Sequence, residues 1–368
     1  MAKLHEISII GMGACGNHIV ELGEGFNTIA INSTEEDTQQ LNNVNNILLI
    51  GTEGCGKIKK NGTKLVKEKF EQYFDNLMEQ TESSDMVVLI AGLGGGTGAG
   101  SISITADVLK SKLPNKQIIL IGVLPSNTED IRALRNSIEV CKEFNQLNLP
   151  YCLVDNGKVL ESGSISECYD KINKFIIENI KVIRGDYNLP TSYGNMDVKD
   201  SKQLFSVPGL FTINKISGFN STTFDETSFD DLILKSIKSS YNVQLQKDKI
   251  IKRLGLILTI TEDQLSKFNR DIPKVKKEIG VPIETFLHVN ICENERDCSI
   301  ITILSGLSMP DSRLSEMLEI IEQSKESLRR KSTSEIKNID ESLKWLDEED
   351  DEDQEEDNSS IDDIMSRY

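Results

Sequence analysis

Six glycines and one threonine lie within the nine residues Gly92–Gly100. This segment follows the apolar run Met86–Ala91, which predicts a buried strand, and leads into Ser101–Leu113, whose apolar residues are spaced for one face of a helix. A glycine-rich loop between a strand and a helix lets bare backbone N–H groups approach phosphate oxygens at the helix N-terminus. Thr97 adds a hydroxyl donor for the same anion. The segment therefore predicts a phosphate-binding loop rather than a flexible linker.

A second glycine-rich segment, Gly11–Asn17, follows the β-rich run Glu6–Ile10. Its spacing matches the GxGxxG fingerprint of dinucleotide-binding folds, which would favour an NAD-dependent oxidoreductase. That fingerprint needs an acidic residue about 20 positions later to bind the ribose. Here the predicted second strand, Thr28–Ile31, ends in Asn32-Ser33-Thr34. Since an oxidoreductase would also leave the other glycine loop unexplained, a mononucleotide held by two loops is the better prediction.

A third segment, Gly51–Lys57, matches the GxxxxGK pattern of P-loops and follows the predicted strand Ile47–Ile50. A P-loop needs serine or threonine at the next position and a helix that begins at the lysine. The next residue is Ile58, Lys59–Gly62 is predicted to continue the loop, and the helix is expected over Thr63–Glu79. The pattern is therefore not expected to form a P-loop.

Further predicted strands, Gln117–Val123 and Tyr151–Val154, continue an alternation of strands and helices. This alternation predicts a doubly wound parallel α/β sheet that binds its ligand at the carboxyl ends of the strands. The run Gly94–Gly100 also resembles the glycine signature of the tubulin/FtsZ superfamily, and the other loops follow in that family's order. The resemblance covers roughly residues 5–310 and implies a GTPase domain that binds GTP, GDP and Mg²⁺.

The resemblance also implies a ribose contact. In the family a glutamate four residues after a proline contacts the ribose, and Glu129 follows Pro125 at that spacing. The arginine that follows it in the family falls on Ala133 here, between Arg132 and Arg135, so either arginine could supply that contact. The alternative for Glu129 is a solvated carboxylate that the helix dipole favours.

Guanine recognition is implied at the start of a long central helix. Tyr169 and Asn173 lie one helical turn apart, where the family stacks an aromatic ring on guanine and hydrogen-bonds its edge, and Asn156 matches a further base contact. The alternative is that Tyr169 belongs to the core and Asn173 caps the helix or faces solvent. The full set of nucleotide-binding residues that the resemblance implies is Gly11, Gly13, Ala14, Cys15, Gly16, Asn17, Asn32, Gly54, Gly56, Gly94, Gly95, Gly96, Thr97, Gly98, Glu129, Asn156, Tyr169 and Asn173.

The segment Tyr193–Asp200 resembles the Asn-x-Asp-x-x-Asp loop of FtsZ through Asn195, Asp197 and Asp200. In the family this loop reaches the nucleotide of the neighbouring subunit in a filament, where its acids polarise the attacking water and help to hold the cation. The alternative is that the two aspartates only occupy a helix N-terminus, where the helix dipole favours acidic residues.

The resemblance divides the chain into a GTPase domain (1–163), the central helix (164–186), a smaller α+β domain (187–309), a helix (310–335) and an acidic tail (336–368). The central helix is expected to be buried on most of its faces. In the α+β domain we expect a helix over Glu262–Ile279 after the strand Gly255–Ile260. The strands Thr285–Ile291 and Ser299–Leu304 are expected to pair as an antiparallel hairpin.

Charge and cysteine content narrow the class of protein. The net charge is −18, and ten acidic residues lie within Asp347–Asp357, so the remainder carries −8. This balance argues against direct nucleic-acid binding, and no apolar run is long enough to span a membrane. Seven cysteines without a CxxC pair are typical of a reduced cytoplasmic protein, and a metal site at Cys292 and Cys298 lacks further ligands.

The function expected from the resemblance is that of a GTPase that assembles into a head-to-tail homopolymer and is activated by polymerisation. Between the motifs the sequence diverges from cell-division FtsZ, and the chain looks more like the TubZ branch, which segregates plasmid or phage DNA through a small DNA-binding adaptor. The terminal peptide Ser360–Tyr368, with its amphipathic spacing, could dock a partner or be a solubilising end. A cell-division FtsZ and a non-polymerising nucleotide-binding regulator remain alternatives.

Overall fold

The computed structural model describes residues 4–159, 165–187, 191, 193–220, 228–248, 250–269 and 271–335, with the backbone alone for residues 165 and 328–335. Two compact units divide the chain, Met1–Leu318 and Glu319–Tyr368. The acidic tail and the terminal peptide lie outside the described residues. Within the described part, no helix combines the length and apolarity needed to cross a bilayer.

One mixed sheet of ten strands runs through the first unit, in the order β3-β2-β1-β4-β5-β6-β7-β10-β8-β9. From β3 to β7 neighbouring strands are parallel, β10 is antiparallel to β7 and β8, and β9 is parallel to β8. The strands are β1 (Ile7–Met12), β2 (Asn27–Asn32), β3 (Asn46–Leu49), β4 (Met86–Gly92), β5 (Gln117–Leu124), β6 (Pro150–Asp155), β7 (Gly209–Ser217), β8 (Ile250–Ile260), β9 (Val281–Ile291) and β10 (Ser299–Leu307).

The helices connect these strands. They are α1 (Gly13–Val20), α2 (Lys59–Glu68), α3 (Phe70–Gln80), α4 (Thr97–Lys112), α5 (Ile131–Gln146), α6 (Ile165–Arg184), α7 (Val198–Phe205), α8 (Phe229–Ser239), α9 (Glu262–Lys267), α10 (Pro273–Glu278) and α11 (Asp311–Glu335). The predicted doubly wound α/β architecture is confirmed.

The central strands are mostly apolar because helices cover both faces of a parallel sheet. Every residue of β1 is buried, as are Met86–Ala91 of β4. Side chains from β1, β4 and β5 share one core with Ile176 of α6 and Ile213 of β7. Because β6 pairs directly with β7, through Tyr151 and Leu210 among others, the sheet continues without a break into the second half of the chain.

The predicted loop over Lys59–Gly62 is wrong, since α2 begins at Lys59. The predicted helices Thr63–Glu79 and Ser101–Leu113 also start too late, and the former is divided at Lys69. Tertiary packing explains the early starts. A Cβ on Gly62 would lie 2.4 Å from the Gly96 carbonyl oxygen, and one on Gly100 would lie 2.2 Å from the Lys59 carbonyl oxygen. Glycine thus permits a close helix–helix contact that no local pattern encodes.

The predicted antiparallel hairpin of β9 and β10 is also wrong, because β8 lies between these two strands. The connection still brings the Sγ atoms of Cys292 and Cys298 within 3.7 Å of each other. Local turn signals favoured a hairpin, whereas long-range pairing with β8 decides the neighbours of both strands.

Two helix predictions need correction as well. The expected helix Glu262–Ile279 is two short helices, α9 and α10, because Pro273 starts a new helix and Ile272 before it has a left-handed φ of +34°. The central helix α6 is not buried on most faces. Its residues Ile172, Ile176 and Ile180 face the core, while an opposite face that includes Lys171, Lys174 and Glu178 is exposed.

Candidate functional site

A cavity of about 550 Å³ opens at the carboxyl ends of the parallel strands. Met12 ends β1, Gly92 ends β4 and Asn156 follows β6, and all three line it. The predicted nucleotide-binding residues that line the cavity are Gly13, Ala14, Cys15, Gly54, Gly56, Gly94, Gly95, Gly96, Thr97, Gly98, Glu129, Asn156, Tyr169 and Asn173. Segments far apart in the sequence therefore converge on the part of the sheet where parallel α/β folds bind ligands.

The two glycine loops form a continuous floor. Gly13 has a φ of +70°, and a Cβ on it would lie 2.9 Å from the backbone nitrogen of Gly98. Helix α4 begins at Thr97, so its first backbone N–H groups belong to the cavity wall. Free N–H groups and the positive end of the helix dipole at this point make an anion site.

Four of the predicted residues are not among the described residues that line the cavity: Gly11, Gly16, Asn17 and Asn32. A Cβ on Gly16 would come within 2.3 Å of the Ile90 carbonyl oxygen, so this glycine allows α1 to pack closely against β4. Asn32 donates to the carboxylate of Asp37 at 3.3 Å, and Asp37 does line the cavity. Gly16 and Asn32 therefore support neighbouring structure, and Asn32 does so through a residue of the cavity wall.

Thr97 connects three loops through its hydroxyl group. Its Oγ1 lies 2.7 Å from Ser33 Oγ, directly after β2, and 3.3 Å from Cys55 Sγ in the loop after β3. Asn136 on α5 adds a second connection, since its side-chain amide donates to the carbonyl oxygens of Lys57 at 2.9 Å and Gly94 at 3.2 Å. The loop that contains Gly54 and Gly56 is thereby fixed against the second glycine loop.

The far wall of the cavity carries an aromatic ring and amide groups. Tyr169 is 43 % exposed, so it is not a core residue, and Asn173 lines the same wall one turn further along α6. The side-chain oxygen of Asn156 is buried without a hydrogen-bond partner in the protein. A buried polar atom that faces a cavity and lacks a partner is suited to a ligand that donates hydrogen bonds. The ring and the amides together match the requirements of a purine base.

Glu129 also lines the cavity, and its Oε1 accepts a hydrogen bond from the Ser126 backbone N–H at 3.0 Å. Burial raises the pKa of its carboxyl group above the usual glutamate range. Arg135 pairs with Glu139 at 3.4 Å, and neither Arg132 nor Arg135 is among the described residues that line the cavity.

The raised pKa of Glu129 predicts a pH dependence of nucleotide affinity. An ionised carboxylate accepts hydrogen bonds from hydroxyl groups, so the ribose contact that the resemblance implies for Glu129 would compete with its protonation. Because the pKa is raised in the fold, protonation stabilises the ligand-free protein at low pH, and this contribution is lost as the pH rises through that pKa. We expect nucleotide affinity to weaken on acidification at a higher pH than an ordinary glutamate would give. Calorimetric titration with GDP across pH tests this, and Glu129→Gln should remove the step; identical profiles for both proteins would contradict it.

The acidic loop, which contains Asn195, Asp197 and Asp200, lies at the other end of the parallel strands from the cavity. Asp197 is the N-cap of α7 and accepts hydrogen bonds from the backbone N–H groups of Lys199 and Asp200, while Asp200 accepts one from Asp197 N–H. Both carboxylates therefore cap the helix. Asn195 and Asp197 are exposed, and Asp200 is half-buried.

Two contacts fix the position of α7. Ser201 Oγ lies 3.0 Å from the ring of His5, just before β1, and Lys202 lies 3.7 Å from Asp85, just before β4. These are the amino ends of the strands whose carboxyl ends form the cavity.

A comparison with protein-family models matches residues 6–164 to the model described as the Tubulin/FtsZ family, GTPase domain. These residues form a tubulin/FtsZ-family GTPase domain. The match contains both glycine loops, the loop after β3, Glu129 and Asn156.

The similarity to known proteins extends over nearly the whole chain. The tubulin-like protein CetZ of Thermococcus kodakarensis is 27 % identical and the tubulin-like protein TubZ of Clostridium botulinum C phage is 25 % identical. The alignments cover 96 % of this chain in both cases, and 96 % and 90 % of the relatives. The crystal structure of Clostridium botulinum phage c-st TubZ has a TM-score of 0.72 at 21 % identity over 88 % of this chain and 99 % of that one. A GTPγS-form protofilament of Bacillus thuringiensis serovar israelensis TubZ has a TM-score of 0.74 at 19 % identity, over 89 % and 94 %.

Several lining residues of the GTPase domain escaped prediction, among them His18, Ser33, Asp37 and Lys57. His18 lies four residues after Ala14 on α1, so the helical period could have placed it on the cavity face. Ser33 belongs to the segment Asn32-Ser33-Thr34, which follows the predicted second strand. Lys57 ends the GxxxxGK pattern, and it was not predicted as a nucleotide-binding residue because that pattern was not expected to form a P-loop.

Proposed function

We propose that the chain binds GTP in this cavity and assembles head to tail, so that Asn195, Asp197 and Asp200 of one subunit complete the site of the next. The observation that carries the proposal is that the cavity lies at the carboxyl ends of the parallel strands and the acidic loop at their amino ends. The seven residues of β4, at about 3.3 Å per residue, separate these two ends by about 20 Å. A subunit therefore cannot bring its own acidic loop to its own nucleotide.

Stacking along the strand direction would bring one subunit's amino edge onto the carboxyl edge of another. Such a contact joins two different surfaces, so it can repeat from subunit to subunit, and it generates a filament where the rotation between subunits does not close a ring. The solved protofilament of Bacillus thuringiensis serovar israelensis TubZ and a two-stranded filament of TubZ-Bt, both of the same fold, support this assembly.

Each group of lining residues has a role in this proposal. The glycine loops and the α4 N-terminus bind phosphate, Glu129 binds the ribose, and Tyr169 with Asn156 and Asn173 binds guanine. The region 1–163 would then act as the GTPase domain, with α6 between it and the α+β region 187–309.

The hydrolytic step needs a water molecule positioned in line with the terminal phosphate. Asp200 of the neighbouring subunit would accept a proton from that water, while Asp197 and Asn195 orient it. Among the described residues no cluster of three metal-ligating side chains occurs, which fits Mg²⁺ held chiefly by phosphates and water with one or two carboxylates. Asp197 and Asp200 fit that minor share, and the ion would supply charge neutralisation at the phosphates.

For the biological role we propose segregation of plasmid or phage DNA in the cytoplasm, through a small DNA-binding adaptor and without direct contact to DNA or membrane. Similarity to the phage TubZ over 96 % of the chain supports this role. CetZ of Thermococcus kodakarensis matches the same share of this chain at 27 % identity, so an experiment on the partner distinguishes the roles. A small helix-turn-helix protein encoded beside this chain that co-sediments with its filaments would support segregation. A neighbouring cell-division cluster would instead favour an FtsZ role.

The decisive experiment follows phosphate release from GTP across a protein concentration series, with light scattering in the same cuvette. Turnover per subunit should be near zero below a threshold and rise together with scattering, because the site is completed between subunits. Turnover independent of concentration would place catalysis within one chain and remove the role of the acidic loop. GTP binding without turnover would favour the regulator, and binding of NADH but not of a fluorescent GTP analogue would favour the oxidoreductase.

A further inference from the structure

Two of the three histidines in the chain contact the segment that forms the acidic loop and α7. His5 contacts Ser201 on α7. His288 of β9 contacts the acidic loop itself, and it is fully buried. Burial of an imidazole is unfavourable unless its nitrogens are hydrogen-bonded, so the partners of His288 indicate what this residue does.

Both ring nitrogens of His288 have partners. Its Nδ1 lies 3.2 Å from the backbone nitrogen of Met196, which stands between Asn195 and Asp197. Because a backbone N–H can only donate, Nδ1 is the acceptor and the ring proton is on Nε2. Nε2 then donates to Asn290 Oδ1 at 3.0 Å. Burial lowers the pKa of His288, which favours the neutral ring that this arrangement requires.

Further contacts fix the imidazole in one orientation. The side-chain amide of Asn290 donates to the Tyr187 carbonyl oxygen at 3.2 Å, so its oxygen and nitrogen cannot exchange places. The Tyr187 ring packs edge-on against the imidazole, with 5.2 Å between the ring centroids. Three hydrogen bonds in series therefore join Tyr187, just after α6, to the backbone of Met196.

Backbone contacts place the same loop against β9, the last strand of the sheet. The Val289 N–H donates to the Gly194 carbonyl oxygen at 3.1 Å, and the Thr191 hydroxyl donates to the Val289 carbonyl oxygen. Both loop residues precede Met196, and Asp197, the N-cap of α7, follows it directly. Met196 is thus the point at which the backbone passes from β9 to the helix start that presents the two aspartates. The bond to His288 fixes that point.

We propose that His288 is a positioning residue for hydrolysis of the neighbouring subunit's GTP, because its Nδ1 atom fixes the backbone from which Asp197 and Asp200 project. The inference rests on the proposed function, since it requires the acidic loop to complete a neighbour's site. Without the bond to Nδ1 the aspartates keep their capping bonds, but the loop backbone gains freedom at Met196. Displacement of a catalytic group by about 1 Å can lower a rate by about 100-fold.

Two variants of His288 test the bond itself. His288→Phe keeps a buried ring and removes both nitrogens, whereas His288→Asn keeps an acceptor oxygen near the position of Nδ1. Turnover per polymerised subunit should fall by about 10- to 100-fold in His288→Phe and by less than about fivefold in His288→Asn. The GTP affinity of the unassembled subunit and the threshold concentration for scattering should be unchanged. Hydrogen exchange of a peptide that contains Met196 should be faster in His288→Phe than in His288→Asn.

Leu258→Ala is the matched control for a loss of packing. Leu258 is buried on β8 and lies in register with Val289, so its side chain is on the face of the sheet opposite His288. This variant should destabilise the same region without slowing turnover per polymerised subunit. Normal turnover per polymerised subunit in His288→Phe, or an equal loss in Leu258→Ala, would overturn the inference and leave His288 a purely structural residue.

Copolymers show which subunit carries the defect. A trace of wild-type protein preloaded with labelled GTP should hydrolyse its label slowly within an excess of His288→Phe protein. A trace of preloaded His288→Phe protein should hydrolyse its label at the wild-type rate within an excess of wild-type protein, as a head-to-tail contact requires. A defect that stays with the preloaded variant would overturn the positioning role alone. Wild-type turnover that is independent of polymerisation would overturn the proposed function and this inference with it.

Discussion

Replacing Asp200 with asparagine is expected to lower steady-state GTP turnover by about 100-fold or more, with GTP binding to the isolated subunit unchanged. The expectation follows from the proposed assembly, because Asp200 lies at the end of the strands opposite the cavity and would there meet a neighbour's nucleotide. Filaments should still form and should disassemble more slowly, because bound GTP persists. Phosphate release and scattering decay after GTP depletion measure the two effects.

Asparagine is preferred to alanine because Asp200 also belongs to the α7 capping box. Its Oδ2 accepts from the Asp197 backbone N–H at 3.2 Å, and an asparagine oxygen can keep this bond. Asp263→Asn is the matched control, since Asp263 is an exposed acid in the first turn of α9 and pairs only with Lys267 among the contacts observed. Disassembly of Asp200→Asn filaments at the wild-type rate would contradict the role in the neighbour's site.

Copolymers of the two proteins test action between subunits directly. In an equimolar copolymer about half of the cavities of Asp200→Asn subunits stack on a wild-type acid, so Asp200→Asn protein preloaded with labelled GTP should hydrolyse about half of that label, as expected for a head-to-tail contact. Catalysis within one chain would instead leave the labelled GTP intact.

Replacing Arg313 with methionine is expected to lower the free energy of unfolding by about 3–5 kcal/mol, the usual effect of breaking a buried ion pair from one side. Arg313 lies in the first turn of α11, and only 6 % of its side chain is exposed. Its Nε donates to Asp155 Oδ2 at 2.8 Å and its Nη2 to the Pro125 carbonyl oxygen at 2.9 Å. Methionine fills similar space but leaves the buried Asp155 carboxylate without its counter-charge.

Urea unfolding followed by circular dichroism measures the change. The double variant Arg313→Met/Asp155→Asn should recover part of the loss, because no uncompensated charge is then buried. Lys181→Met, which removes an exposed pair with Glu178, should cost less than about 1 kcal/mol. An Arg313→Met protein as stable as the Lys181→Met protein would show that the buried pair contributes no net stability.

The sequence by itself determined the features that depend on local pattern. The two glycine loops at Gly11–Asn17 and Gly92–Gly100, each between a buried strand and a helix, predicted both the parallel sheet and the edge at which its cavity lies. This worked because a strand, a glycine turn and a helix start are specified by residues that are neighbours in the chain. The shared face of Tyr169 and Asn173 followed from the helical period in the same way, while their place at the cavity was implied by the family resemblance.

Tertiary structure alone decided the features that depend on distant contacts. The start of α2 depends on the approach of Gly62 to Gly96, and the neighbours of β9 and β10 depend on β8. The pairing of Arg313 with Asp155 joins residues 158 positions apart, and Lys57 meets Asp130 across 73. Side-chain charge does not reveal its partner in a sequence, because only the packed sheet brings these elements together.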